Sequence, residues 1–173
     1  IPPGSDGLIV QPYWGPGLKR PLAKGAIVGF SDVHTLEHMY KAIIEGIAYA
    51  LREGMEGIEK KQRRKIKEIR ISGGGSQSPA ICQITADIFG LPVSKIHTHE
   101  TTSLGAAMSI FLAKKEFETP EEAIKEMSHI VETYNPNPVA NQQYEYLYKK
   151  AYLKLFPRLK DVYADLKKID KKC

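Results

Sequence analysis

Ile69-Arg70-Ile71-Ser72-Gly73-Gly74-Gly75-Ser76-Gln77-Ser78-Pro79 is the stretch on which the reading of the fold turns. It reads as a short buried strand, then a glycine triplet, then the start of a helix. Glycine has no Cβ, so the backbone there can take positive φ and a ligand can come close. The helix N-terminus just beyond offers free N–H groups and positive partial charge to an anion. Strand, glycine loop and helix together are a common way to hold a nucleotide. The competing reading is a tight β–α turn that binds nothing, so the flanking sequence has to discriminate.

Downstream, Ile81, Ile84, Ile88 and Phe89 mark a helix that Gly90 ends, and residues 92–96 read as another short strand. His97 to Thr102 is a polar loop, and Thr102 or Ser103 is expected to cap a helix carrying Leu104, Ala107, Met108, Phe111 and Leu112. Strand–helix–strand–helix with crossovers of this length predicts parallel pairing. Thr119 and Pro120 open a further short helix, with the proline in its first turn. Residues 134–138 read as a rigid linker. The chain then ends in helices with Tyr144, Leu147, Tyr148, Tyr152, Leu155 and Phe156 in register, and Pro157 is expected to break them in two.

Upstream, Leu8-Ile9-Val10 and residues 25–30 read as strands that pair antiparallel across a long loop. Trp14, beside the breaker-rich residues 15–21, is read as closing the edge of the core, with stacking on a ligand as the alternative. Ser31, Asp32 and Thr35 are candidate N-caps for a long helix to about Ile58. Leu36, Met39, Ile43, Ile47, Ala50 or Leu51, and Met55 recur at helical spacing, and with Ile44, Ala48 and Ile58 widening the stripe they predict the face laid against a sheet. Gly46 inside that helix should cost about 1 kcal/mol relative to Ala, which a close backbone contact would explain.

With 173 residues and 42% apolar content, the chain is large enough for one domain with a real core. No apolar run approaches membrane length, so no membrane partner is expected. The N-terminus lacks both a signal-peptide pattern and an initiator Met, which reads as a fragment or a processed chain. Cys82 and Cys173 are far apart, which suggests a reducing, cytoplasmic setting, with Cys82 a core filler on a helix. The net charge of +5 is concentrated in residues 60–65 and 167–172. Without interleaved aromatic residues these clusters read as a solvated helix end and a polar tail, so no nucleic-acid partner is expected.

Few residues suggest chemistry of their own. His34-Thr35-Leu36-Glu37-His38 matches H-x-x-E-H, a zinc-site spacing. His34 falls at the helix cap, however, so the two histidines are not expected to share a face, and no third ligand follows. His97 and His99 form a second candidate pair in a loop. No metal site is expected from either. No G-x-S-x-G and no paired carboxylates accompany the glycine loop. The chain is equipped to hold a ligand and poorly equipped to transform one. No catalytic residue is assigned.

Residues 71–79, followed by Ile84-Thr85-Ala86-Asp87-Ile88-Phe89-Gly90-Leu91-Pro92-Val93, resemble the C-terminal domain of the FGGY-family carbohydrate kinases, whose members include xylulokinases and ribulokinases. Glu100-Thr101-Thr102-Ser103-Leu104-Gly105-Ala106-Ala107 is similar to the family's Glu…Leu-Gly-Ala-Ala segment. Gly29-Phe30, His34-Thr35 and Glu45-Gly46-Ile47-Ala48-Tyr49 resemble its strand-to-helix stretch, and the tyrosine-rich tail resembles its closing helices. The resemblance implies an α/β, ribonuclease-H-like (actin-type ATPase) domain over residues 1–133, a mixed sheet with flanking helices, and a C-terminal helical extension over 134–173.

It further implies that the glycine loop holds the adenosine side of ATP, with Mg²⁺ serving in the complete enzyme. Gly73, Gly74 and Gly75 become the binding residues, with Ser76 and Ser78 as polar contacts; some members place Asn where this chain has Ser78. The family's first domain, with most sugar contacts and the catalytic Asp, has no counterpart here, nor does the start of the second. Residues 13–21 differ from the Gly-Glu-Arg-Thr-Pro pattern of xylulokinases. The expectation is a nucleotide-binding portion of a kinase for a sugar or polyol hydroxyl, inactive alone, with a homodimer left open. The alternatives are a Rossmann-type dinucleotide module, with Glu100 as the ribose-binding acid, and a non-catalytic scaffold.

Overall fold

A computed structural model describes residues 1–15, 17 and 20–170. Pro16, Leu18 and Lys19 of the breaker loop, and Lys171, Lys172 and Cys173 of the basic tail, lie outside the described residues. Strands β1 (Ile9–Gln11) and β2 (Ala26–Val28) pair antiparallel with Ile9 opposite Val28, as the sequence predicts. Helix α1 runs Leu36–Gln62, one turn beyond the predicted end. Of the candidate caps the chain uses Thr35, whose N–H donates to His38 Nδ1 at 3.2 Å.

Beyond α1 comes β3 (Ile69–Ile71), a tight 3₁₀ turn over Gly74–Gln77, α2 (Pro79–Phe89) and β4 (Val93–Ile96). β3 and β4 are parallel with Ile69 opposite Val93. Gly90, at φ +65°, ends α2 in the left-handed conformation that favours glycine. Helix α3 (Thr101–Ala113) takes Glu100 as its N-cap residue, ahead of the predicted Thr102 or Ser103. Helix α4 (Pro120–Met127) is capped by Thr119, as expected.

One strand escaped the sequence. β5 (Ile130–Tyr134) adds antiparallel to β4 with a register shift at Lys95/Ile96, giving a mixed sheet in the order β3-β4-β5. Ile130, Val131 and Thr133 are β-branched, but all are exposed on this edge and give no core-facing alternation. Tyr134, read as the start of the linker, closes this strand.

The C-terminal helices α5 (Pro138–Leu147) and α6 (Leu153–Asp170) are joined by a π-helical turn, Tyr148–Tyr152. Pro157 lies inside α6 and does not break it. A proline removes one helical N–H donor, and the irregular π turn lies just before the site. Tyr144, Tyr148 and Tyr152 form the main core with Ala48, Tyr49 and Ile88. Burial, and then Glu45, push the Tyr144 hydroxyl far above its usual range.

The buried face of α1 differs from the predicted one. It carries Ala42, Glu45, Gly46, Tyr49 and Arg52, and of the predicted stripe it keeps Ala48. A Cβ on Gly46 would lie 2.3 Å from the Val10 carbonyl oxygen, so glycine is what lets β1 and α1 meet. Leu36, Ile47 and Leu51, predicted to be covered, are exposed. Ile44, Ile47 and Leu51 instead line an apolar groove of about 480 Å³ that opens beside β3. Trp14 is likewise exposed, its ring lying against Gly25, and does not close the core. The accessible surface of 11321 Å² exceeds the roughly 8,500 Å² of a compact monomer of this mass. No described helix is long and apolar enough to cross a membrane.

Candidate nucleotide site

The glycine loop leaves β3 at Ser72 and turns sharply at Gly73, whose φ of +81° and ψ of −174° only glycine adopts readily. A side-chain atom built on Gly73 or Gly74 would meet nothing within 4 Å. The backbone of the turn therefore faces open space, and a ligand could lie directly on it. Gly75 has only Ile81 nearby, at ordinary contact distance. The first N–H groups of a helical turn have no partner within it and remain available to an anion.

The serines divide into separate roles. Ser76 is buried, and its Oγ donates to the Gly73 carbonyl at 2.7 Å, so its hydroxyl is spent holding the turn closed. Ser78 caps α2, with Oγ accepting from the Ile81 N–H at 3.4 Å. Beneath the turn, the Cys82 Sγ donates to the Ser76 carbonyl at 3.5 Å, and burial pushes its thiol upward. Cys82 is the buried filler the sequence predicts, and it also braces the loop.

The structure also joins two stretches that the sequence treats separately. Ser72 Oγ lies 3.2 Å from Thr101 Oγ1, tying the start of the glycine loop to the first turn of α3. The Glu…Leu-Gly-Ala-Ala segment thus begins at the edge of the same site. A strand end and a polar helix start are each visible in sequence, but their meeting depends on the parallel β3–β4 pairing. The apolar groove runs from α1 along Ile69 and Ile71 to Gly75 and Ser76, so it opens beside the same loop.

The histidine motifs are placed differently. The His34 and His38 rings are adjacent, with centroids 5.5 Å apart, contrary to the expectation that they would not share a face. Their Nδ1 atoms serve the helix start, accepting from the N–H groups of Ser31 and Thr35, and His38 Nε2 faces Asp6 at 3.1 Å. His97 stacks on His129 at 4.4 Å, while His99 pairs with Glu100. Among the described residues no group of three or more His, Cys, Asp or Glu is placed to hold a metal ion.

Comparison with known proteins gives this arrangement its context. Residues 4–113 match the model of the FGGY family of carbohydrate kinases, C-terminal domain. A xylulose kinase of Lactococcus lactis is 32% identical over 154 residues, covering 86% of this chain and 30% of the relative. A glycerol kinase of Aquifex aeolicus is 33% identical over 139 residues, covering 80% of this chain and 27% of the relative. The crystal structure of ligand-bound xylulose kinase from Lactobacillus acidophilus superposes with a TM-score of 0.82 at 27% identity, over 96% of this chain and 34% of that one. The chain thus spans about three tenths of the length of the curated relatives it matches. The likeness carries the α/β, ribonuclease-H-like fold expected from the sequence, and nothing in it favours the dinucleotide-binding alternative. With the family model matching residues 4–113 in the order the motifs predict, the chain belongs to the FGGY family of carbohydrate kinases and is its C-terminal domain.

Proposed function

We propose that this chain forms the nucleotide-binding wall of an ATP-dependent kinase that phosphorylates a sugar or polyol hydroxyl. The observation carrying the proposal is the open backbone of Gly73 and Gly74, set between a strand end and a capped helix. In this reading Gly73, Gly74 and Gly75 let the nucleotide lie on the main chain, with its phosphates near the start of the turn. Ser76 acts through the turn it closes, and Ser78 presents α2 as a capped N-terminus. The cleared space above the glycines fits a bulky anionic ligand. Mg²⁺ on the phosphates of ATP would offset their charge.

Phosphoryl transfer depends chiefly on positioning and charge stabilisation, with a carboxylate to accept the hydroxyl proton. This chain's share is positioning: the β3 turn fixes the nucleotide, and the Ser72–Thr101 contact fixes that turn against α3. The carboxylate and most sugar contacts belong, in this proposal, to the kinase's other domain. The exposed apolar face of α1 is covered by the rest of the enzyme. Residues 1–133 form the nucleotide-binding unit and 134–173 the extension seated on α1 and α2, working in the cytoplasm.

Gly74→Asp tests the site. The position has open space and no positive φ, so the new side chain fits without strain and brings a negative charge to the phosphate path. The expected result is at least tenfold weaker ATP binding by the complete enzyme with an unchanged melting temperature. Unchanged ATP affinity would remove the loop from the site. A thermal-shift titration of ATP against NAD separates this reading from a dinucleotide module, since a bound ligand raises apparent stability by mass action. A coupled ADP-release assay on the isolated chain is expected to show no sugar-dependent turnover.

A further inference from the structure

The basic cluster after α1 lines a cavity that the nucleotide site does not use. This groove, of about 720 Å³, lies between the end of α1, the end of α2 and α5. Phe89 and Leu91 place it at the opposite end of α2 from the glycine loop, about 16 Å away for a helix of this length. Its carboxylates are already engaged. Glu59 accepts from Lys65 Nζ and the Ile66 N–H, both at 2.8 Å. Glu145 pairs with Arg52 and with Lys149, and Glu56 accepts from Arg52 Nε at 3.1 Å and the Tyr148 hydroxyl at 3.0 Å.

Lys60, Arg63 and Arg64 also line the groove, and none of their side chains has an ion pair or hydrogen bond among the described residues. Arg63 is one of four non-glycine residues described at positive φ, with Ser5, Asp6 and Lys115, and of these four it is the one that lines the groove. It ends α1 at φ +51° and ψ +30°, a left-handed conformation ordinarily given to glycine or asparagine. A strained, non-glycine residue at an otherwise permissive position points to a role for its side chain. Met55, Ile66, Phe89 and Leu91 supply an apolar wall beside these cations.

We propose that this groove binds a small molecule carrying a diphosphate or two phosphate groups, at a site distinct from the glycine loop. The guanidinium groups of Arg63 and Arg64 match phosphate oxygens in bidentate geometry, with Lys60 as a further point charge. The apolar wall takes the organic portion. Because the engaged carboxylates already neutralise Arg52, Lys65 and Lys149, the uncompensated charge is that of Lys60, Arg63 and Arg64.

The test is calorimetric titration of sodium pyrophosphate into this chain in 150 mM NaCl, where exposed charges beyond about 8 Å are screened. The expected result is a saturable binding event that persists when the glycine loop is blocked by Gly74→Asp. Arg63→Gly should weaken it about tenfold while raising the melting temperature, because glycine relieves the left-handed strain. Arg64→Ala should weaken it similarly, and Gly74→Asp should leave it unchanged. Absence of saturable heat overturns the proposal. So does unchanged affinity in both arginine variants, or loss of binding in Gly74→Asp, which would place the pyrophosphate on the glycine loop instead.

Discussion

The two faces of α1 carry inverted chemistry. The face turned into the protein holds Glu45, Arg52 and Tyr49, while the face turned out holds Leu36, Tyr40, Ile47 and Leu51. A surface helix ordinarily has the reverse pattern. The buried polar groups are tolerated because they are bonded. Glu45 accepts from the Gly4 N–H at 3.0 Å, the Ser5 hydroxyl at 2.8 Å and the Tyr144 hydroxyl at 2.7 Å, with Lys41 Nζ also at 3.0 Å. Arg52 donates to the Ile88 carbonyl at 2.8 Å and lies over the Tyr148 ring at 4.2 Å. The inner face therefore joins the N-terminal turn, α2 and α5 through directional bonds. The outer face has no such network and offers mainly apolar area.

Removing Glu45 should break the comparison most severely. Glu45→Ala leaves a main-chain donor, two hydroxyls and a lysine facing a hole. By analogy with a broken buried ion pair, the expected loss is about 3–5 kcal/mol, read as a lower urea midpoint. Glu45→Gln keeps the shape and one acceptor oxygen, and should lose about 1–3 kcal/mol. Equal small losses in both variants would show that Glu45 is incidental to the inner face.

Gly46→Ala comes next and has an unusual sign. Helix propensity alone favours the change by about 1 kcal/mol. The new methyl, however, would lie 2.3 Å from the Val10 carbonyl oxygen, which is main chain and cannot swing aside. Overpacking of this kind costs about 1–3 kcal/mol, so net destabilisation is expected in chemical unfolding. A stabilised variant would mean that β1 can move away from α1 freely.

Much of the glycine turn's backbone was legible in the sequence because it depends on local rules. Strand, glycine at positive φ and helix start are set by immediate neighbours, whereas the capping role of Ser78, read as a polar ligand contact, appears only in the structure. The Gly46 contact was legible too, since a glycine inside a helix needs a reason. The face of α1 was not. Periodicity identifies an apolar stripe but cannot say what covers it, and here the stripe borders a groove that no described residue fills. β5 was missed for a related reason, because an edge strand exposed to solvent shows no alternation of burial. The expected break at Pro157 failed because the proline rule is local, while the helix there is also held by Tyr163, which donates to Gln11 Oε1 at 2.5 Å.

The outer face gives the smallest effect in this chain and the sharpest contrast beyond it. Leu51 is exposed at 60%, so Leu51→Ala in the isolated chain should change stability by no more than about 0.5 kcal/mol. In the longer kinase proposed above, with the outer face covered as proposed, the same substitution opens a cavity and should cost about 2–5 kcal/mol. Comparing the two unfolding midpoints makes one residue report on its surroundings. A similarly small change in both proteins would mean that the stripe stays exposed in the whole enzyme, and the apolar groove beside the glycine loop would then need another explanation. A large change only in the complete kinase would identify the outer face of α1 as an internal surface of the longer protein, with the inner face holding this domain together by itself.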